Sequence, residues 1–469
     1  VRYVSTRGQA SAPDFAEAML AGLAADGGLY VPESWPRLSR EEIAGLAGLS
    51  YAQVAERVIA PFVGAAIDRA ALRDMIGEAY AQFRHPAVAP LVQIAPNDFV
   101  LELSHGPSLA FKDVAMLLLA RLMDHALARR GSRATIVGAT SGDTGGAAIE
   151  AFRGRERVDV FILYPHGRVS DVQRRQMTTP TEDNVHAIAV EGTFDDCQAI
   201  VKSLFADEAF RRRVALSGVN SINWARIVAQ VVYYVTSAVA LGAPHRPVGF
   251  CVPTGNFGDI FAGWVARRMG LPVERLVIAT NVNDILARAL AHGRYEVRSV
   301  IATMSPSMDI QVSSNFERLL FEASGRDAAA VGRWMDGLRQ SGAFAIDPAT
   351  LREITGVFSA VRVDEASCAA TMGGLLREAG YLADPHTAIG IAAGRLAPRG
   401  PATPMIALST AHPAKFPDAV AAATGLRPAL PDWLADLGER PERYDVLPAD
   451  RDAIARHILR STRVTVDAI

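Results

Sequence analysis

Apolar positions change their rhythm along this chain. Over residues 15–23 they recur every third or fourth position, the spacing of one helix face, and Asp26, Gly27 and Gly28 stop the run. Residues 51–59 and 70–83 continue in that style, so 1–95 read as a mostly helical N-terminal domain. Pro86, Pro90 and Pro96 punctuate its boundary. Beyond it the apolar runs shorten, and each is followed by a glycine-rich or polar turn and a helical segment. Ala134-Thr-Ile-Val-Gly-Ala139, Val248-Gly-Phe-Cys-Val252 and Met405-Ile-Ala-Leu-Ser409 are three such runs. With β-branched residues and no alternation, they suit parallel strands covered on both faces. Residues 96–425 therefore read as an α/β core, with ligands expected beyond the carboxyl ends of its strands. Residues 328–395 are helix-rich, with Asp347-Pro348 and Asp384-Pro385 as starts and Gly380 as a stop. The tail, 426–469, is rich in Pro, Asp and Arg and is expected to pack on the core.

Composition narrows the function classes. A chain of 469 residues with 50% hydrophobic and 21% charged residues reads as soluble and globular, large enough for two or three domains. A formal charge of −2 gives no electrostatic reason to expect nucleic acid. Cys197, Cys251 and Cys368 show no CxxC spacing, so no zinc site is implied, and they read as reduced core residues of a cytoplasmic protein. No run resembles a signal peptide or reaches membrane-spanning length, so neither export nor membrane insertion is expected.

Four segments carry candidate chemistry. In Leu101-Glu-Leu-Ser-His-Gly-Pro-Ser-Leu-Ala-Phe-Lys-Asp113, residues 99–103 read as a strand and His105-Gly106-Pro107 as a turn. Ser108 then reads as the N-cap of a helix over 109–130 that Gly131 ends. Lys112 would sit at the positive end of that helix, which disfavours an ammonium and promotes the neutral amine that forms Schiff bases. Taken singly, a lysine there more often points to solvent. The loop Ala139-Thr-Ser-Gly-Asp-Thr-Gly-Gly146 would converge backbone N–H groups with the hydroxyls of Ser141 and Thr144 at a helix start, which suits a carboxylate. It lacks the G-x-G-x-x-G order of a nucleotide fingerprint.

The loop Val252-Pro-Thr-Gly-Asn-Phe-Gly-Asp259 lets Gly255 and Gly258 bring backbone close to a phosphate, though a glycine turn without a ligand fits it as well. No Lys-Ser or Lys-Thr follows, so it is not a Walker loop. After the last strand, Thr410 offers a neutral hydroxyl to a heterocyclic nitrogen, while His412 and Lys415 read as a cap and a solvated charge. A Schiff-base lysine, a phosphate loop, a ring-nitrogen hydroxyl and a carboxylate loop together are what pyridoxal 5′-phosphate bound to an amino acid requires.

These segments, with Asp26-Gly-Gly-Leu-Tyr-Val-Pro32, Asn220-Ser-Ile-Asn223, Ala279-Thr-Asn-Val-Asn-Asp284 and Thr410-Ala-His-Pro-Ala-Lys-Phe416, resemble the threonine synthase family, in the branch with an N-terminal helical domain. The resemblance runs from about residue 3 to about residue 420. It implies a fold type II enzyme, similar to the tryptophan synthase β fold. Two α/β lobes with parallel-rich sheets would enclose the cofactor, the smaller spanning about 131–218. By resemblance, Lys112 is the Schiff-base lysine; Gly255, Asn256, Phe257 and Gly258, with Asp259 adjoining, are the phosphate loop; and Thr410 lies near the pyridine nitrogen. Thr140, Ser141 and Thr144 would hold the substrate carboxylate. Ser108 and Thr254 stand where relatives often have the other hydroxyl residue.

The implied reaction is that of a lyase converting O-phospho-L-homoserine and water to L-threonine and phosphate, the last step of threonine biosynthesis, with Lys112 moving protons. A second anion site is then required, and Ser221, Asn223 and Arg226 at a helix start are candidates. A capped helix with Arg226 on its surface fits those residues equally well. Arg168, Arg174 and Arg175 read as a solvated basic face, and 307–318 resembles a family segment without an evident role. A threonine-synthase-like phospholyase, a serine or threonine dehydratase, and a non-catalytic binder of a phosphorylated metabolite are the rival readings. A monomer or homodimer is expected, with no nucleic-acid or membrane partner.

Overall fold

The N-terminal helices begin where short polar side chains can take up free backbone N–H groups. Asp14 with Glu17 and Ser50 with Gln53 form reciprocal caps that open the helices Phe15–Ala21 and Tyr51–Val63, and Asp68 caps Arg69–Tyr80. A computed structural model describes residues 1–11 and 13–464 of the chain. In it, Tyr51–Val63 packs its buried face on the helix Trp224–Ala240, and Arg69–Tyr80 packs on Lys112–Arg129. A two-stranded antiparallel sheet, Tyr3–Ser5 with Tyr30–Pro32, joins these helices. Its strands of three residues are too short to show a period, so the apolar pattern does not reveal them.

The larger lobe is built on a six-stranded sheet in the order Phe358–Arg362, Val273–Thr280, Val248–Pro253, Met405–Ser409, Asp98–Glu102, Leu91–Ala95. All neighbours are parallel except the last pair, which is antiparallel. The edge strand Leu91–Ala95 puts the start of this sheet ahead of residue 96. The strands Val248–Pro253 and Met405–Ser409 are buried throughout, as their unbroken apolar runs require.

The smaller lobe carries a five-stranded, all-parallel sheet in the order Asp445–Pro448, Val185–Glu191, Val158–Pro165, Ala134–Ala139, Leu216–Ser217. Its first strand comes from the C-terminal tail, which thus extends the lobe. The tail helix Arg451–Ser461 buries Ile454 and Ile458 with Cys197, Ile200 and Leu204, while Leu434 and Leu437 cover Leu109. Arg174 and Arg175, expected as a solvated face, reach Glu442 of the tail at 2.8 and 3.7 Å; Arg168 is exposed. The three cysteines are free and buried. Among the described residues there is no metal-binding cluster, and no helix is long and apolar enough to cross a membrane.

Candidate active site

Lys112 opens the helix Lys112–Arg129, three residues later than expected, and Ser108 does not cap it. The cause is distant in sequence. Residues 410–412 take up the backbone ahead of the lysine: Phe111 N–H donates to Thr410 O at 2.8 Å, His412 N–H to Leu109 O at 3.0 Å, and Ala110 bridges Ala411. Leu109 is held at φ +60°. The Ser108 amide and hydroxyl instead donate to the Asp113 carboxylate at 2.8 and 2.5 Å, with the side chain fully buried. Gly106 is needed beneath this turn, since a Cβ there would lie 2.4 Å from Asp113 Oδ2.

The lysine is buried rather than solvated, its Nζ 3.5 Å from Asp143 Oδ2 and 4.7 Å from the centre of the Phe111 ring. Burial pushes its pKa down; the Asp143 carboxylate opposes this, and the cations Lys415 and Arg226 reinforce it. The loop that supplies Asp143 is shaped by Thr140, whose hydroxyl accepts from the N–H groups of Gly142 and Gly145, both at 2.9 Å. Ser141 is exposed and Thr144 half-buried at the start of the helix Asp143–Phe152. Thr410, tied to Phe111 through its carbonyl, keeps its hydroxyl without a protein partner among the described residues.

The glycine loop after Val248–Pro253 has the features of a phosphate cradle. The N–H groups of Gly255, Asn256, Gly258 and Asp259 find no protein acceptor among the described residues, and the helix Gly258–Arg268 starts there. A Cβ on Gly255 would stand 2.7 Å from Ser307 O, so only glycine keeps the loop in place. Phe257 holds a left-handed φ of +64°, fixed by burial of its ring against Phe316 and Phe358 at 5.3 and 5.7 Å. Asp259 faces inward. One carboxylate oxygen accepts from Tyr233 and, at 2.8 Å, from Tyr234, while the other is buried without a partner. Burial pushes its pKa up to about 6 against the two tyrosine hydroxyls and Lys112.

The segment 307–318 gains a role: it backs this cradle. Ser313 Oγ donates to Gly255 O at 2.5 Å, and the Asn315 backbone and side-chain N–H groups donate to Asn256 O at 3.0 and 2.9 Å. Arg318, fully buried, fixes Asn315 Oδ1 and donates to Tyr30 O at 2.9 Å and Ile222 O at 2.7 Å. The cradle is thereby tied to the N-terminal domain.

At the start of Trp224–Ala240, Asn223 is a cap. Its Oδ1 accepts from Ala225 N–H at 3.1 Å and its Nδ2 donates to Met19 O at 2.8 Å, which fixes the side chain across the helix start. Ser221 is half-buried, with its carbonyl on Asn315. Arg226 is 4% exposed, donates once to Val219 O at 3.2 Å, leaves its Nε unpartnered, and has no carboxylate partner among the described residues. Burial pushes its pKa down to about 10. An unpaired buried guanidinium whose charge is felt at Lys112 suits an anion.

Three family models tile the chain: "Threonine synthase N terminus" over residues 2–80, "Pyridoxal-phosphate dependent enzyme" over 89–410 and "Threonine synthase, C-terminal" over 387–458. The chain is 55% identical over 449 residues to threonine synthase of Pseudomonas aeruginosa, covering 96% of each chain. The chain belongs to the threonine synthase family. Its structure superposes on the PLP-bound threonine synthase of Brucella melitensis with TM-score 0.97 at 59% identity, covering 99% of this chain and 100% of that one. Yeast threonine synthase gives TM-score 0.94 at 39% identity, covering 98% of both.

The segments carrying Lys112, Asp143 and Lys415 thus meet at one buried carboxylate, together with groups that sequence reasoning missed. Asp143, Gln173, Asn315 and Arg318 carry no local signal of their own. Lys415, expected as a solvated charge, is fully buried. His412 is a cap, its ring accepting from Ala414 N–H at 3.1 Å.

Proposed function

We propose that this chain converts O-phospho-L-homoserine and water to L-threonine and phosphate, with pyridoxal 5′-phosphate carried on Lys112. The observation that carries the reading is a buried lysine set between an open N–H cradle and an unpaired buried arginine. The N–H groups of Gly255, Asn256, Gly258 and Asp259 hold the cofactor phosphate, with the Phe257 turn presenting them. The Thr410 hydroxyl would hold the ring nitrogen through a neutral hydrogen bond. When bound, the cofactor supplies an electron sink that makes the Cα and Cβ protons of an amino acid labile.

Lys112 Nζ, whose burial favours the neutral amine, accepts the Cα proton and returns it at the end of the cycle. The Thr140 hydroxyl, Ser141, Thr144 and the first N–H groups of Asp143–Phe152 bind the substrate carboxylate; Arg226 and Ser221 bind its phosphate. Ser108 and Asn223 take positioning roles, the first holding the turn that presents Lys112 and the second the helix start that presents Arg226. Free, buried cysteines support placement in a reducing, cytoplasmic compartment.

Incubation with phosphohomoserine tests the reading. Phosphate and threonine should appear in equal amounts, and Lys112→Ala should lose both. Phosphate released with 2-oxobutyrate and no threonine would favour the phospholyase, and turnover retained by Lys112→Ala would overturn the mechanism.

A further inference from the structure

Lys112 shares its carboxylate partner with a second lysine. Lys415 lies in the turn Pro413–Lys415 of the larger lobe and is fully buried, donating to Asp143 Oδ1 at 2.8 Å and to Ser108 O at 2.7 Å. Gln173 Nε2 donates to the same Asp143 oxygen at 2.9 Å. One oxygen of Asp143 is therefore saturated, and Lys112 meets only the other, at the longer distance of 3.5 Å. The remaining charged groups facing the amine are Arg226, which adds positive charge, and Asp259, which offsets it once ionised above a pKa pushed up to about 6 by burial; Asp113 of the same helix is turned to Ser108. Two ammoniums and one carboxylate are one positive charge in excess in a buried site, and the group with the weaker pairing relieves that excess by releasing its proton.

We propose that Lys415 is a positioning residue of the reaction: by claiming the charge of Asp143, it leaves Lys112 as the surplus cation and so disposes that amine to work in its neutral form. The proposal rests on the assignment of Lys112 as the reacting lysine. It also explains why the carboxylate comes from the smaller lobe and the second lysine from the larger: docking of the lobes assembles the cluster.

The test follows Lys112 in the full chain freed of cofactor. The pH dependence of its acetylation by trace acetic anhydride, read by mass spectrometry of the Lys112 peptide, gives the midpoint of amine deprotonation. In Lys415→Met, Lys112 is left as the one cation paired with Asp143, and the midpoint should rise by about one unit or more, an approximately tenfold loss of neutral amine at pH 7. Asp143→Asn should move it the opposite way, and Lys415→Arg, which keeps the charge, should leave it near the unsubstituted value. Opposite shifts are not a general consequence of loosened packing. The acidic limb of the kcat profile of the loaded enzyme should move with the midpoint. Equal midpoints in all four proteins, or shifts of one sign in Lys415→Met and Asp143→Asn, would overturn the proposal. Because acetylation is read without turnover, failure of the Lys112 assignment shows separately, as activity retained by Lys112→Ala.

Discussion

Replacing Arg318 with leucine removes the group that joins three parts of the molecule. The guanidinium donates to Tyr30 O at 2.9 Å, to Ile222 O at 2.7 Å and to Asn315 Oδ1, and lies 5.6 Å from the centre of the Trp224 ring. Leucine leaves three acceptors unpaired, of which Tyr30 O and Asn315 Oδ1 are buried and cost about 1–3 kcal/mol each, while Ile222 O is half-buried and costs less. Against this stands relief from burying a charge, whose cost is visible in an arginine pKa pushed down by burial to about 9. The balance resembles the loss of one member of a buried polar pair, about 3–5 kcal/mol. Urea denaturation of the cofactor-free chain, followed by far-UV circular dichroism, should show that loss.

Because Arg318 fixes Asn315 and Asn315 holds Asn256 O, cofactor titration followed by absorbance should also show at least about tenfold weaker binding, equivalent to about 1.4 kcal/mol. A stability loss below about 1 kcal/mol with unchanged cofactor affinity would refute the reasoning, since surface substitutions do no more than that.

Gly255→Ala should weaken cofactor binding about fivefold to a hundredfold, the effect of an overpacking cost of about 1–3 kcal/mol at the contact with Ser307 O when the loop is returned to its cofactor-holding position, as absorbance titration would record. Arg226→Gln should raise KM for phosphohomoserine about tenfold or more, as loss of a charge-assisted bond of about 1.5–3 kcal/mol implies, with cofactor affinity intact; an unchanged KM would remove Arg226 from the phosphate site. Asp259 has a folded pKa raised to about 6 from 3.8, so its contribution to stability is present below pH 4 and lost as pH rises through 6. The stability of the unsubstituted chain relative to Asp259→Asn should therefore fall by about 2–3 kcal/mol between pH 4 and pH 7, as urea curves at each pH would record.

Much of the architecture was legible because it is written in local patterns. The strands Ala134–Ala139 and Met405–Ser409 match their apolar runs residue for residue, and the helices starting at Pro348 and Pro385 begin after the aspartates that cap them. What escaped reading depends on partners far along the chain. The helix of Lys112 starts late because residues 410–412 claim the backbone before it. Lys415 looks like a surface charge until the other lobe brings Asp143 to it. Arg174 and Arg175 gain their acidic partner from position 442, and Asn223 is tied to Met19 O, about two hundred residues earlier.

The edge strand Asp445–Pro448 also has a temporal meaning. It pairs with Val185–Glu191, so about 250 residues separate the two sides of that pairing. At synthesis rates of about 5–20 residues per second, the smaller lobe would wait on the order of 10–50 s with the edge of Val185–Glu191 uncovered. An unpaired parallel edge is a template for association with other chains. The nascent protein therefore passes through an interval in which its smaller lobe is present but its aggregation guard has not yet been made.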